Sequence, residues 1–536
     1  MRAVHLAVLC CTALLAIGAA ACGGDDDDGD SGGDQGAAST DSGAPAADTY
    51  IIGTTDKVVA IDPAGAYDLG SQQLIGNLYQ YLLSVPAGKT EPQPDAAESC
   101  EFSNPKTYTC TLKPGLKFSS GDPLTSSDVK FSLDRELKIA DPQGASSLLA
   151  SLKEVQTPDR QTVVMKLKKP DATWPFILTH TVAAIVPDEI YPADKEQPDD
   201  KAVGSGPYQL ERYQPGQQAV FKINPNYDGP NKGQTENVIM QYYEEPSALK
   251  LAVEQGEVDV AYRSLSPTDI ESLRNETANG VKVVDGAGTE IRYIVFNVAK
   301  KPADDPAVRK AIAQVVDRAA IAETVYKGTV KPLYTMVPEA FPGHKDSYKE
   351  KYGEAPDVDA AKQTLEDAGI STPVELEGWY TPTHYGPAEV DLWTELKRQL
   401  EESGLFKVSL DSTEWEQYKD AAFAKGQYYF YGLGWFPDFP DGDNYLSPFV
   451  RDGGFFQNGY SNDKINAALD QELATDEESK RTAAFEQVQD LMAEDVPVLP
   501  LWEGKQVAAV RDGVEGVEKT FDPAFQFRFW LVTKRA

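Results

Sequence analysis

From about residue 50 onward the apolar positions fall into two alternating spacings, one helical and one extended. Residues 247–254 read as an amphipathic helix that Gly256 ends, and the VDVAY run at 258–262 reads as a buried strand. Asp305 and Pro306 open a second helix, with proline in its first turn. Val308, Ile312, Val315, Val316 and Ala319 then recur at helical spacing, and Gly328 follows the end. Val390, Trp393, Leu396 and Leu400 form another stripe, closed by Gly404 before a strand at 407–410. These stripes predict core, Trp393 included. A helix over 414–425 leads through Gly426 into an aromatic strand, QYYFYGL at 427–433. The last clear helix spans 478–492, and PVLPL at 497–501 predicts a strand or a crossover. Thr125 and Asp128 bracket a helix start in a capping-box pattern, with Asp where Glu is usual. Strands alternating with helices imply an α/β fold. The chain exceeds one ordinary core, so at least two lobes are expected, and the lack of a second linker predicts short crossovers between them.

The first 48 residues follow neither spacing. Arg2 precedes an apolar run from Ala3 to Ala21, the pattern of a signal peptide over 1–21. The run stops at Cys22 in GAAACGG at 18–24, which resembles a bacterial lipobox, with Ala19 where Leu is usual. In that reading Cys22 is lipidated and anchors the protein to the outer face of the membrane or in the periplasm. The alternative is plain secretion with cleavage after an alanine. No later segment is long and apolar enough to span a bilayer. Residues 22–48 are rich in Gly, Asp and Ala, which predicts an extended acidic tether. GDSGG at 29–33 matches the nucleophile motif of trypsin-like proteases, but Ser31 stands in low-complexity sequence with no scaffold for an oxyanion hole. With Cys10 and Cys11 removed and Cys22 lipidated, Cys100 and Cys110 remain. They flank two short β-prone arms and a turn, which predicts a structural disulfide across a hairpin.

The net charge of −34 argues against nucleic acid or anionic lipid as a partner and favours cationic or zwitterionic ligands. Beyond the signal, His180, His344 and His384 stand far apart, so no metal-ligand spacing arises and no cofactor is expected. No phosphate-binding glycine loop follows a strand. The stretch GWFPDFPDGDNY at 434–445 is the densest candidate site, and it begins at the C-terminal end of a strand, where open α/β sheets bind ligands. An EF-hand calcium loop fails at its ligand positions, since Tyr445 takes the fifth place from Asp441, which leaves only a non-standard calcium loop as an alternative. Asp438 with Asp441 as a glycosidase pair has little support in so acidic a chain.

Several blocks in order resemble the extracytoplasmic solute-binding proteins of ABC importers, in the peptide/nickel-binding family 5. They are IDP at 61–63 with GNLYQYLL at 76–83, LKPGLKF at 112–118 and GDPLTSSDVKF at 121–131. GSGPY at 204–208 with NPNY at 224–227, GEVDV at 256–260, DPAVRKA at 305–311 with DR at 317–318, and EDVP at 494–497 complete the set. The resemblance implies a type II periplasmic-binding-protein fold, two α/β lobes joined by two hinge crossovers. The boundaries expected are 49–287 plus 506–536 for the first lobe, with an extra subdomain at about 88–188, and 288–505 for the second. It implies a monomeric receptor, not an enzyme, that captures oligopeptides or dipeptides and delivers them to a membrane permease. It also implies site residues. Gly434 and Phe436 would offer backbone groups, Trp435 would pack, and Asp438 would take the ligand's ammonium. Tyr67, Tyr262 and Arg263 would line the cleft from the first lobe, Arg263 meeting a carboxylate or else an ordinary salt-bridge partner. Pro437 departs from the family pattern and leaves open whether Asp438 faces the cleft or caps a turn. The alternatives are the same fold binding a nickel chelate, haem, opine or oligosaccharide, a secreted hydrolase, and a structural surface lipoprotein.

Overall fold

Two large sheets carry the chain, as seen in a computed structural model that describes residues 48–276 and 280–535. The expected leader, Cys22, Ser31 and the tether to residue 47 lie outside the described residues. The first sheet has seven strands, in the order Val281–Gly286, Gln506–Arg511, Val260–Tyr262, Thr49–Thr54, Asn237–Tyr242, Gln218–Ile223 and Tyr208–Gln214. Thr49–Thr54 lies parallel to both of its neighbours. Its apolar run suits a strand covered on both faces. The second sheet has six strands, in the order Val330–Pro332, Val498–Gly504, Ile291–Phe296, Phe430–Trp435, Val374–Tyr380 and Phe406–Ser412. Every residue of Ile291–Phe296 is buried. The chain passes from the first sheet to the second at 287–290 and returns at Lys505.

A third, four-stranded sheet lies within the first lobe: Ala97–Asn104, Thr107–Leu112, Thr162–Leu167 and Leu152–Gln156. Cys100 and Cys110 face each other in its hairpin and are joined by a disulfide. The bond closes a loop of sequence separation 10. Its removal in Cys100→Ser/Cys110→Ser is expected to lower stability by about 2–3 kcal/mol, read from urea melts of oxidised protein and variant.

Local signals set most element ends. Gly256 ends the helix Pro246–Gln255 at φ 81°, in the left-handed region. Thr125 and Asp128 form the capping box of Ser126–Ile139, the Thr125 N–H donating to Asp128 Oδ2 at 2.8 Å. The stripe from Val308 does not continue as one helix to Ala319. The helix Pro306–Val315 stops because Val316 is extended and Asp317 caps a new turn, accepting from the Ala320 N–H at 2.9 Å. In Glu389–Glu402 the buried face is Leu392, Trp393, Leu396 and Leu400, while Val390 is 43% exposed. The helix read over 414–425 is α-helical only at Trp415–Lys419 and widens to a π turn at Asp420–Ala424. The aromatic strand begins at Phe430, not at residue 427, and runs two residues further, to Trp435.

Candidate ligand-binding cleft

The strand Phe430–Trp435 brings the GWFPDFPDGDNY stretch to the space between the lobes. It pairs antiparallel with Ile291–Phe296, Gly434 opposite Arg292 and Trp435 opposite Ile291. A Cβ at Gly434 would meet Arg292 Nη1 at 2.2 Å, so only glycine fits beneath that guanidinium. Arg292 is fully committed: it pairs with Glu290 at 2.6 Å and Glu389 at 3.1 Å, and Nη1 and Nη2 donate to the carbonyls of Ile291 and Tyr385. Burial pushes the Glu389 carboxyl up to about 7, with Arg292 opposing it.

After Trp435 the chain turns, and Asn444 fixes the turn. Its Oδ1 accepts from the Asp438 N–H at 2.9 Å and from Trp435 Nε1 at 3.1 Å, and its Nδ2 donates to Asp438 Oδ2 at 2.9 Å. The second carboxylate oxygen, Oδ1, accepts from the Tyr67 hydroxyl of the first lobe at 2.5 Å. No cation reaches this carboxylate among the described residues. Burial pushes it up to about 6, against the hydrogen bonds from Asn444 and Tyr67. Tyr67 is 40% exposed as a whole, yet burial of its hydroxyl end and the charge of Asp438 raise its phenol well above the usual value.

The loop is anchored from behind. Asp441 accepts a two-pronged bond from Arg481 at 2.7 and 2.8 Å, and Glu472 accepts from Arg481 Nε at 3.0 Å. Asp443 accepts from Ser447 and, at its backbone N–H, donates to Asp441. Burial first, then the charge of Asp443, pushes Glu472 up to about 11, so it is neutral at pH 7. One guanidinium thus offsets Asp441 and Asp443 while Glu472 holds a proton.

The first-lobe wall consists of the helix Leu69–Leu78 and the segment 523–531. Gln73 joins them, donating to the Phe525 carbonyl at 2.6 Å and accepting from the Phe527 N–H at 2.6 Å. Asn77 repeats the device on Phe527 and Phe529. A Cβ at Gly76 would meet Gln526 Nε2 at 2.2 Å, so the helix approaches that segment through a glycine. Phe525 sits at φ 56°, a strained conformation for a bulky residue, and its ring meets Phe436 edge-on at 5.5 Å. Burial lowers His180 to about 3, so it is neutral. Its Nδ1 accepts from the Val182 N–H at 3.1 Å, and its Nε2 lies 3.3 Å from the Gln72 amide. Together these walls enclose a cavity of about 160 Å³ that Asp438, His180, Gln72, Gln73 and Phe525 line.

Phe439 crosses the gap. It comes from the second lobe, is 6% exposed, and packs into the core of the four-stranded subdomain beside Phe176, centroids 6.4 Å apart. The lobes therefore meet in a closed arrangement. Phe439→Ala is expected to remove on the order of 3 kcal/mol from that arrangement. Small-angle scattering should then show a larger radius of gyration in the ligand-free variant; an unchanged radius would mean that other contacts close the lobes.

A family profile described as "Bacterial extracellular solute-binding proteins, family 5 Middle" matches residues 91–457. The chain belongs to family 5 of the bacterial extracellular solute-binding proteins. The "Probable D,D-dipeptide-binding periplasmic protein DdpA" of Escherichia coli K12 is 27% identical over 504 residues, covering 91% of this chain and 94% of that protein. "Heme-binding protein A" of Haemophilus influenzae is 25% identical over 540 residues, covering 94% and 96%. The structure of HbpA2 from Haemophilus parasuis superposes with a TM-score of 0.79 at 21% identity, covering 91% of this chain and 100% of that one. The fold is thus that of the family 5 binding proteins.

Within this family 5 frame the predicted site residues separate. Asp438, Tyr67 and Phe436 come together at the lobe interface. Trp435 packs edge-on against Phe449 at 5.0 Å and ties to Asn444, behind the wall. Gly434 has its strand partner and makes room for Arg292. Arg263 is held by Asp56 at 3.1 and 3.3 Å, with its guanidinium over the Phe436 ring at 5.3 Å, so its charge is matched within the protein. Tyr262 is a correction. It is 1% exposed, stacked on Phe521 and packed against Phe527, and its hydroxyl donates to Gln506 Oε1 at 3.2 Å. It is core, because the short strand Val260–Tyr262 is covered on both faces. Sequence reasoning missed Asn444, Phe439, His180, Gln72 and Phe525. Asn444 had one signal, its place six residues beyond Asp438 in the same loop.

Proposed function

We propose that this protein is the substrate-binding receptor of an ABC uptake transporter, taking an oligopeptide or dipeptide between its lobes and delivering it to a membrane permease. The observation that carries the reading is Asp438. Its carboxylate faces an interlobe cavity, is desolvated, and has hydrogen bonds but no cation. An ammonium is the partner that such a group lacks, and the pair would be charge-assisted. A ligand bridging the walls would hold the lobes together through contacts made only in the closed state, which is how binding drives hinge closure. The crossings at 287–290 and Lys505 are the hinge in this reading. The reading needs no chemistry in the cleft: His180 is neutral, and its Nδ1 is engaged by the Val182 N–H. Cys22 carries a lipid anchor that keeps the monomeric receptor at the outer face of the membrane.

The relative named for haem binding favours keeping a non-peptide solute as the second reading. Calorimetry against a library of dipeptides to pentapeptides tests both. Heat with peptides is expected. No heat with any peptide, and binding of a nickel chelate, haem, opine or oligosaccharide instead, would remove the peptide part and keep the receptor.

A further inference from the structure

The cavity says something about the other end of the ligand. Three charged residues line it: Asp438, Asp95 and Arg528. Arg528 is the only cation among them, and it is already taken. Its Nη1 pairs with the buried Asp522, its Nη2 donates to the Val85 carbonyl at 2.9 Å, and its side chain is 2% exposed. Asp95 accepts from Gln80 Nε2 and from the Tyr81 N–H, both at 3.1 Å, with Lys113 behind it on the Asp95 carbonyl. The charge of Lys113 still acts on Asp95, whereas no cation acts on Asp438 among the described residues. Outside the cavity Arg263 serves Asp56, and Arg292 serves Glu290 and Glu389. A carboxylate enclosed here would meet no free guanidinium and would lie among acids. An ion that loses water without gaining a partner is strongly disfavoured. The remaining polar lining is neutral and made of hydrogen-bonding groups: Gln72, Gln80, Asn231, Thr179 and His180.

We propose that the enclosed part of the ligand is a monocation: an amine on Asp438 whose remainder bears amide or hydroxyl groups, with no carboxylate inside the cavity. The inference rests on Asp438 as the ammonium partner. It fits a peptide whose C-terminus is blocked or lies beyond the cavity, and it excludes a zwitterion enclosed whole.

Calorimetry on the full-length protein at pH 7.5 with three probes tests it: dialanine, dialanine amide and N-acetyl-dialanine amide. Dialanine amide is expected to bind at least about tenfold more tightly than dialanine, and the acetylated amide not at all. Dialanine binding as tightly as its amide would overturn the monocation and leave the Asp438 anchor standing. The acetylated amide binding as tightly as the free amine would overturn the anchor itself. No binding of any probe at millimolar concentration would overturn both.

Discussion

Asp438→Asn is expected to weaken binding of an amine ligand by about 2–4 kcal/mol while making the ligand-free protein more stable. The two effects have one cause. Burial raises the folded carboxyl from 3.8 to about 6. A raised carboxyl favours folding while it is protonated, below its unfolded value, and that advantage is lost as pH rises through about 6. At pH 7 the ionised group therefore costs roughly 3 kcal/mol, a two-unit shift. Asparagine removes that cost and can still hydrogen-bond to Tyr67 and Asn444. Urea melts at pH 7 should show the gain, and calorimetry the loss of affinity. In the unmodified protein, affinity for an amine should fall as pH drops through about 6, because the carboxyl then carries its own proton. Equal affinity of the variant and the parent would make Asp438 a turn residue.

Arg481→Met is expected to destabilise the protein by about 3–5 kcal/mol at pH 7, the largest stability effect predicted for any single side chain here. Arg481 is the sole cation on Asp441 and Glu472 among the described residues. Its removal leaves Asp441 and Asp443 buried without an opposite charge. Protonation relieves that cost, so the loss should shrink as pH falls toward 5. Urea melts at pH 7.5 and pH 5 check this. A loss independent of pH would mean that Arg481 acts through packing on Phe485 instead. Because the same loop holds Asn444, the variant should also bind ligand less well.

How much of this was legible depended on distance along the chain. The capping box at Thr125, the glycine at 256 and the stripe through Trp393 are local patterns, and local physics decided them. The breaks were set by tertiary contacts: the chain leaves the helix at Val316, and the Asp317 N–H donates instead to Gln399 Oε1, 82 positions away, at 2.8 Å. Tyr262 was misplaced by the resemblance, which put it in the cleft, whereas its own pattern read 258–262 as a buried strand, and buried it is. Asp438 could be singled out from its neighbours and from the family resemblance. Its supports could not. Tyr67 lies 371 positions away, and the Arg481 pair spans 40. Residues that meet only through the fold leave no spacing to read.

The two crossings set an order of assembly. The second lobe is a continuous run between Ile291 and Gly504, so its sheet can close as soon as that run is available. The first sheet cannot. Gln506–Arg511 lies between Val260–Tyr262 and Val281–Gly286, with antiparallel partners on both sides. Until it arrives, those two strands present open edges to the solvent, the surfaces most prone to pairing with another chain. The half of the chain that comes first is thus the half completed last.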